Sequence, residues 1–197
     1  ELESFAYVTS HDLKAPLRGI ATIADWLQAD YHDKLDEDGR SNLKLLKMRV
    51  QRMNDLIEGI LKYSKAGRHT EELEQVDVNQ LIQETISLIP TPTTAELKVQ
   101  GEFPVVEANR TVVLQVIEKL LTNAYKYSDK EYSDKIFEIF QTLGETNDKQ
   151  STGVGLAIVK KIVTGWGGSI WVNSQKGEGA TFYFTFPKKM VVHRSHT

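Results

Sequence analysis

The sequence predicts an α plus α/β protein: an antiparallel helical hairpin that dimerises into a four-helix bundle, followed by an α/β sandwich. Three patterns predict it. Leu13, Leu17, Ile20, Ala24, Leu27 and Tyr31 alternate in steps of four and three, and Leu43, Leu46, Val50, Met53, Ile57 and Ile60 do the same after a polar stretch at Asp36, Asp38 and Gly39. Such spacing lays an apolar stripe along one helix face. Residues 65–75 then lack apolar periodicity and read as a linker. Beyond them, short apolar runs alternate with helical patterns, the habit of a sheet covered by helices. The predicted domains are therefore residues 1–68 and 69–190, with a tail at 191–197.

Each element has a local reason. Two helices with a short connection are antiparallel neighbours. One hairpin of this size buries little surface, so two copies are expected to face each other as a homodimer. Val76 and Val78 form a short strand, Asn79 can cap a helix over Gln80–Leu88, and Pro90 and Pro92 break the chain. Leu97-Lys98-Val99-Gln100 and Val105-Val106 read as strands. Asn109 begins a helix carrying Val112, Val113, Val116, Ile117, Leu120 and Leu121. Another runs from Gly155 toward Trp166 and stops at Gly167-Gly168. A hairpin follows, Ser169–Asn173 and Ala180–Phe186, with Phe182, Phe184 and Phe186 on one face.

Composition excludes several classes. Of 197 residues, 40% are apolar and 26% charged, a globular profile. The net charge of −3 gives no basic field for nucleic acid or an anionic membrane surface. With no cysteine, disulfide scaffolds, zinc ribbons and thiol chemistry are out, and a reducing, cytoplasmic compartment is expected. No apolar run approaches the ~20 residues of a membrane span. The chain opens inside a helical pattern, so we expect it to be a fragment of a longer protein.

Three elements can carry chemistry. His11 falls nearly opposite the apolar stripe of its helix, on the face that holds Arg18, with Asp12 beside it and Lys14 nearby. An exposed imidazole can act as nucleophile or base, and a neighbouring carboxylate can hold its tautomer. Pro16 should kink the helix close by. Thr152-Gly153-Val154-Gly155-Leu156 precedes a helix. Glycines let a ligand approach the backbone, and the helix start offers free N–H groups to phosphate. The loop lacks the Gly-Lys-Ser/Thr ending of a Walker A motif. Asn123 and Lys126 share one helix face, where an amide oxygen suits Mg²⁺ and an ammonium suits phosphate. By spacing alone, an inert histidine, a plain turn and a solvated helix face are the favoured readings of these three elements.

In this order the elements resemble the transmitter module of a sensor histidine kinase of two-component signalling. Ser10-His11-Asp12-Leu13-Lys14-Ala15-Pro16-Leu17-Arg18 resembles the H-box of the dimerisation and phosphotransfer domain. Glu1-Leu2-Glu3-Ser4-Phe5-Ala6-Tyr7 resembles the phytochrome-like branch. Asn123-Ala124-Tyr125-Lys126-Tyr127 resembles the N-box of a GHKL-type ATP-binding domain, Lys135–Gln141 its F-box, and Thr152–Leu156 its G2-box. The resemblance covers about residues 1–187 and implies autophosphorylation of His11 from ATP, followed by relay to an aspartate in a response-regulator receiver domain. It implies that His11 and Asp12 are catalytic. Asn123, Lys126, Tyr127, Thr152, Gly153, Gly155 and Leu156 would bind nucleotide, and Asn123 would ligate Mg²⁺. Neither nucleic acid nor membrane contact is expected of this stretch.

Four departures qualify the resemblance. An Asp-x-Gly-x-Gly segment for adenine and two strands should lie between N-box and F-box, yet only ten residues part Lys126 from Phe137. Tyr127-Ser128-Asp129-Lys130 and Tyr132-Ser133-Asp134-Lys135 repeat each other there. The flanking elements keep their apolar faces, so we expect the intact molecule to carry that segment. Lys119 replaces a second N-box Asn, Ser151 replaces a common glycine, and Ala15 stands where phosphatase-competent relatives place Thr or Asn. A dimeric docking scaffold with a degenerate ATP domain is the alternative reading. A chaperone- or topoisomerase-type ATPase is disfavoured, because its catalytic Glu would stand at Lys119.

Overall fold

The computed structural model describes residues 2–67, 72–89, 97–101, 103–126, 134–141, 152–175 and 178–192. Helices α1 (Leu2–Tyr31) and α2 (Glu37–Lys65) form the expected hairpin, joined by a 3₁₀ turn at His32–Lys34. Asp36 caps α2, its carboxylate accepting the Gly39 N–H at 2.7 Å. α1 runs unbroken through Pro16, whose missing N–H leaves the Asp12 carbonyl without its usual helical donor.

The heptad stripe divides into two edges. Leu17, Ala24, Leu43, Val50 and Ile57 are buried between the two helices, whereas Leu13, Ile20, Leu27, Leu46, Met53 and Ile60 each remain 37–50% exposed, and Tyr31, at the end of α1 in the buried register, is 47% exposed. Each set recurs every seven residues, so one edge closes the hairpin and the other forms an apolar seam along its side. An ordinary two-helix core would bury both edges.

The second part holds α3 (Val78–Leu88), α4 (Arg110–Lys126), α5 (Gly155–Trp166) and four strands: β1 (Glu74–Asp77), β2 (Val105–Ala108), β3 (Ile170–Gln175) and β4 (Gly179–Phe184). α4 lies between two apolar clusters. Val112, Val116 and Leu120 pack with Ile158, Val159 and Ile162 of α5, while Val113, Ile117 and Leu121 pack with Val76, Val106, Leu81 and Ile82. Rows spaced by four on adjacent faces of one helix serve two cores.

Several expectations change. Among the described residues the strands form two antiparallel ribbons, β1–β2 and β3–β4, rather than one sheet. Phe103, just before β2, stacks on Phe184 of β4 with ring centroids 6.5 Å apart, a side-chain contact between the two ribbons' surroundings. Residues 97–100 form no strand, having no ladder partner among the described residues. Asp77, not Asn79, caps α3, accepting the Gln80 N–H at 3.1 Å. Asn79 instead clasps the backbone of Phe103, donating to its carbonyl at 2.7 Å and accepting its N–H at 3.2 Å. An amide side chain, being donor and acceptor at once, fits that double role where a carboxylate would not. The linker ends early, since β1 already includes Glu74 and Gln75. Past the predicted boundary at 190, Val191 bridges Val106, and the Val192 N–H donates to the Val105 carbonyl at 2.8 Å. α5 stops where expected: Gly167 takes the left-handed cap (φ 93°), and Gly168 lies against the Thr185 carbonyl where no Cβ would fit.

Candidate functional site

His11 is set by its neighbour. Ser10 is buried against the hairpin, which turns the next residue outward, and the His11 and Asp12 side chains are 69% and 74% exposed. His11 Nδ1 lies 3.3 Å from Asp12 Oδ1. With Nδ1 as the donor, the Nε2 lone pair is left facing solvent. One turn on, the Lys14 ammonium donates to the Glu58 carboxylate across the hairpin. That hydrogen bond, aided by the charges of Lys14, Lys62 and Lys65, holds the Glu58 carboxyl below its ordinary range against the opposing effect of burial.

The phosphate-suited elements converge at the start of α5. Gly155 and Asn123 adjoin: a Cβ on Gly155 would stand 3.7 Å from Asn123 Nδ2 and 3.7 Å from Lys119 Cδ. Asn123 Nδ2 donates to the Lys119 carbonyl at 2.6 Å, which ties the amide to its own helix. Among the described residues no side chain caps α5, and the first N–H groups of a helix lack partners within it, which suits an anion. Among the described residues, no cluster of His, Cys, Asp and Glu could hold a metal. An amide oxygen such as that of Asn123 is chemically suited to Mg²⁺ where substrate phosphates supply other ligands, which is this ion's habit.

The remaining predicted residues divide. Leu156 is buried in the α4–α5 core, and Thr152 is half-buried at the loop entry. Gly153 has φ 67°, and a Cβ there would stand 2.5 Å from the Gln141 carbonyl oxygen. The Phe140 N–H donates to the Gly153 carbonyl at 2.9 Å. Gly153 thus binds the loop to the F-box segment, where Ile136 and Phe137 are buried. The Lys126 side chain and all of Tyr127 lie outside the described residues.

Sequence reasoning missed the contact between the two parts. Val154 packs on Gly59 of α2, where a Cβ would stand 2.7 Å from Val154 Cγ2. Lys161 Nζ donates to the Tyr63 and Ser64 carbonyls at 2.6 and 2.9 Å and lies 4.7 Å above the Tyr63 ring. A cation at a helix C-terminus meets the negative end of the dipole. The visible signal was Gly59 inside an otherwise strong helical pattern.

Comparison with known proteins bears on both parts. The family described as "His Kinase A (phospho-acceptor) domain" matches residues 1–69. The family described as "Histidine kinase-, DNA gyrase B-, and HSP90-like ATPase" matches residues 128–190, just past Asn123, Lys126 and Tyr127. Cyanobacterial phytochrome B of Nostoc sp. is 34% identical over 94% of this chain, and the phytochrome-like protein Cph1 of Synechocystis sp. is 31% identical over 95%. The chain spans 29% of the length of each. Both alignments run over 219 residues, more than the 197 of this chain, so the relatives carry residues that it lacks. A crystal structure of full-length ShkA in complex with AMPPNP matches 98% of this chain and 47% of its own, with a TM-score of 0.56 and 20% identity, a likeness of fold.

Proposed function

The chain belongs to the sensor histidine kinases, as their transmitter module, and from that premise we propose that it autophosphorylates His11 from ATP and relays the phosphoryl group to a response-regulator aspartate. The observation that carries this reading is the His11–Asp12 pair, exposed on α1 within the stretch matched by the phospho-acceptor family. Asp12 holds the Nδ1 proton, so Nε2 is the attacking nitrogen. As Nε2 bonds to phosphorus, positive charge develops on the ring, and the carboxylate stabilises it and accepts the proton. Phosphoryl transfer otherwise asks mainly for alignment and charge neutralisation.

In this reading Asn123, Lys126, Tyr127, Thr152, Gly153, Gly155 and the first N–H groups of α5 bind the phosphates. Leu156 supports the loop from the core. Mg²⁺ supplies neutralisation of phosphate charge when bound. The exposed edge of the hairpin closes on a second copy, giving the homodimeric four-helix bundle. Among the described residues no helix is long and apolar enough to cross a membrane. We place the module in the cytoplasm, where ATP and receiver domains are found. The test is incorporation of acid-labile phosphate from Mg-ATP, abolished in His11→Gln with the dimer intact. Absence of incorporation in the unaltered chain would favour a phosphotransfer scaffold instead.

A further inference from the structure

Helical geometry sets one charged side chain within a turn of His11 on the same face. Residues three and four away are Tyr7, Val8, Lys14 and Ala15, and only Lys14 carries charge. Such neighbours have Cβ atoms about 5–6 Å apart. A four-carbon stem brings an ammonium from there to any group built on the imidazole. Lys14 is engaged elsewhere in this structure, donating to Glu58 Oε1 on α2. The pair is open to water, with side chains 30% and 50% exposed.

Glu58 has other cations to turn to. Lys62 stands one turn along α2, and both Lys62 and Lys65 act on the Glu58 carboxylate. Losing Lys14 would not strand it. A phosphoryl group carries about −1.5 to −2 charge at neutral pH, against −1 for a carboxylate. The larger charge gives such a group on His11 the stronger attraction for a nearby ammonium.

We propose that Lys14 is a phosphoryl-binding residue, held on Glu58 in the resting protein and transferred to the phosphoryl oxygens as they arrive on His11. This rests on the reading of His11 as the phosphoacceptor. In the step, the bond from the γ-phosphorus to the leaving oxygen of ADP breaks, the bond from phosphorus to Nε2 forms, and the Nδ1 proton passes to Asp12. Lys14 keeps its protons and only exchanges partners. Glu58 is then a positioning residue, keeping the ammonium near His11 while the ring is free.

The test uses the full chain with His32, His69, His193 and His196 replaced by glutamine, so that His11 is the one imidazole left; it is phosphorylated chemically with phosphoramidate, which needs no ATP site, and the phosphohistidine is followed by ³¹P NMR titration. Lys14→Gln should raise the phosphoryl pKa by about half a unit or more, because a neighbouring cation favours the doubly charged form. Lys14→Arg should restore it, and Glu58→Gln should leave it at or below the original value. With Mg-ATP, Lys14→Gln should slow autophosphorylation about tenfold at unchanged KM for ATP, in keeping with one charge-assisted contact made only at the transferring group. A phosphoryl pKa unmoved by Lys14→Gln overturns the proposal, and so does an equal rise in Glu58→Gln, which would make the pair a structural brace. If label appears on His11 but its pKa is unmoved, only the role of Lys14 falls. If no label appears on His11, the phosphoacceptor reading falls with it.

Discussion

The G2-like loop contains two glycines that the structure treats differently, and replacing each with alanine separates their roles. Gly153 has φ 67°, and an added Cβ would meet the Gln141 oxygen at 2.5 Å, the Phe140 carbonyl carbon at 2.6 Å and the Gln141 nitrogen at 2.8 Å. All three are backbone atoms, tied to the loop by the Phe140 N–H to Gly153 carbonyl bond and anchored by buried Ile136 and Phe137. The left-handed conformation costs a side chain about 1–2 kcal/mol. Overpacking against backbone adds about 1–3 kcal/mol. Gly153→Ala should therefore lose about 2–5 kcal/mol, a large part of a typical domain's stability. Gly155 makes contacts of 3.7 Å at the same position and begins a helix. There alanine is neutral or stabilising by up to about 1 kcal/mol. Urea unfolding followed by tryptophan fluorescence measures both, since Trp166 packs against both cores. A Gly153→Ala midpoint equal to that of Gly155→Ala would refute the reasoning.

Further outcomes follow from the same geometry. Gly59→Ala removes a helix-weakening glycine but pushes on Val154, so unfolding should change by less than about 1 kcal/mol while the two parts separate, seen as faster amide exchange around residue 161. Met53→Glu, on the exposed edge of the hairpin, should yield a folded monomer by light scattering at concentrations where the unaltered chain is dimeric. Asn123→Asp should weaken Mg-nucleotide binding about tenfold with no loss of helicity, and unchanged affinity would remove the metal role. Glu58→Gln should cost under about 1 kcal/mol at neutral pH, since the pair is half exposed. The Glu58 carboxyl is lowered in the folded state, so its contribution is present above the unfolded value of 4.5 and is lost as pH falls through the lower folded one. The two proteins should converge in acid.

Much of this was legible because the signals are local. A stripe in steps of four and three gave the hairpin, a double glycine the end of α5, and alternation the β3–β4 ribbon. The cap of α3 lies two positions before the residue that the sequence suggests, because Asp77 and Asn79 are both capping residues and only the distant Phe103 backbone, which engages Asn79, decides between them. The residues 97–100 pattern promised a strand, but a strand needs a partner edge, which sequence does not display. Periodicity also could not separate the two edges of the heptad stripe: Leu17 and Ile20 are equally apolar, and only the closing of α2 on α1 buries one and leaves the other exposed. The Val154–Gly59 and Lys161 contacts join residues about a hundred positions apart, beyond any local pattern.

The most direct test of the account is the intact mass of the purified chain before and after Mg-ATP, at neutral to mildly alkaline pH, beside His11→Gln. One phosphoryl group should be gained, lost on acid treatment and absent from His11→Gln. No gain, or a gain that survives acid and persists in His11→Gln, would contradict it.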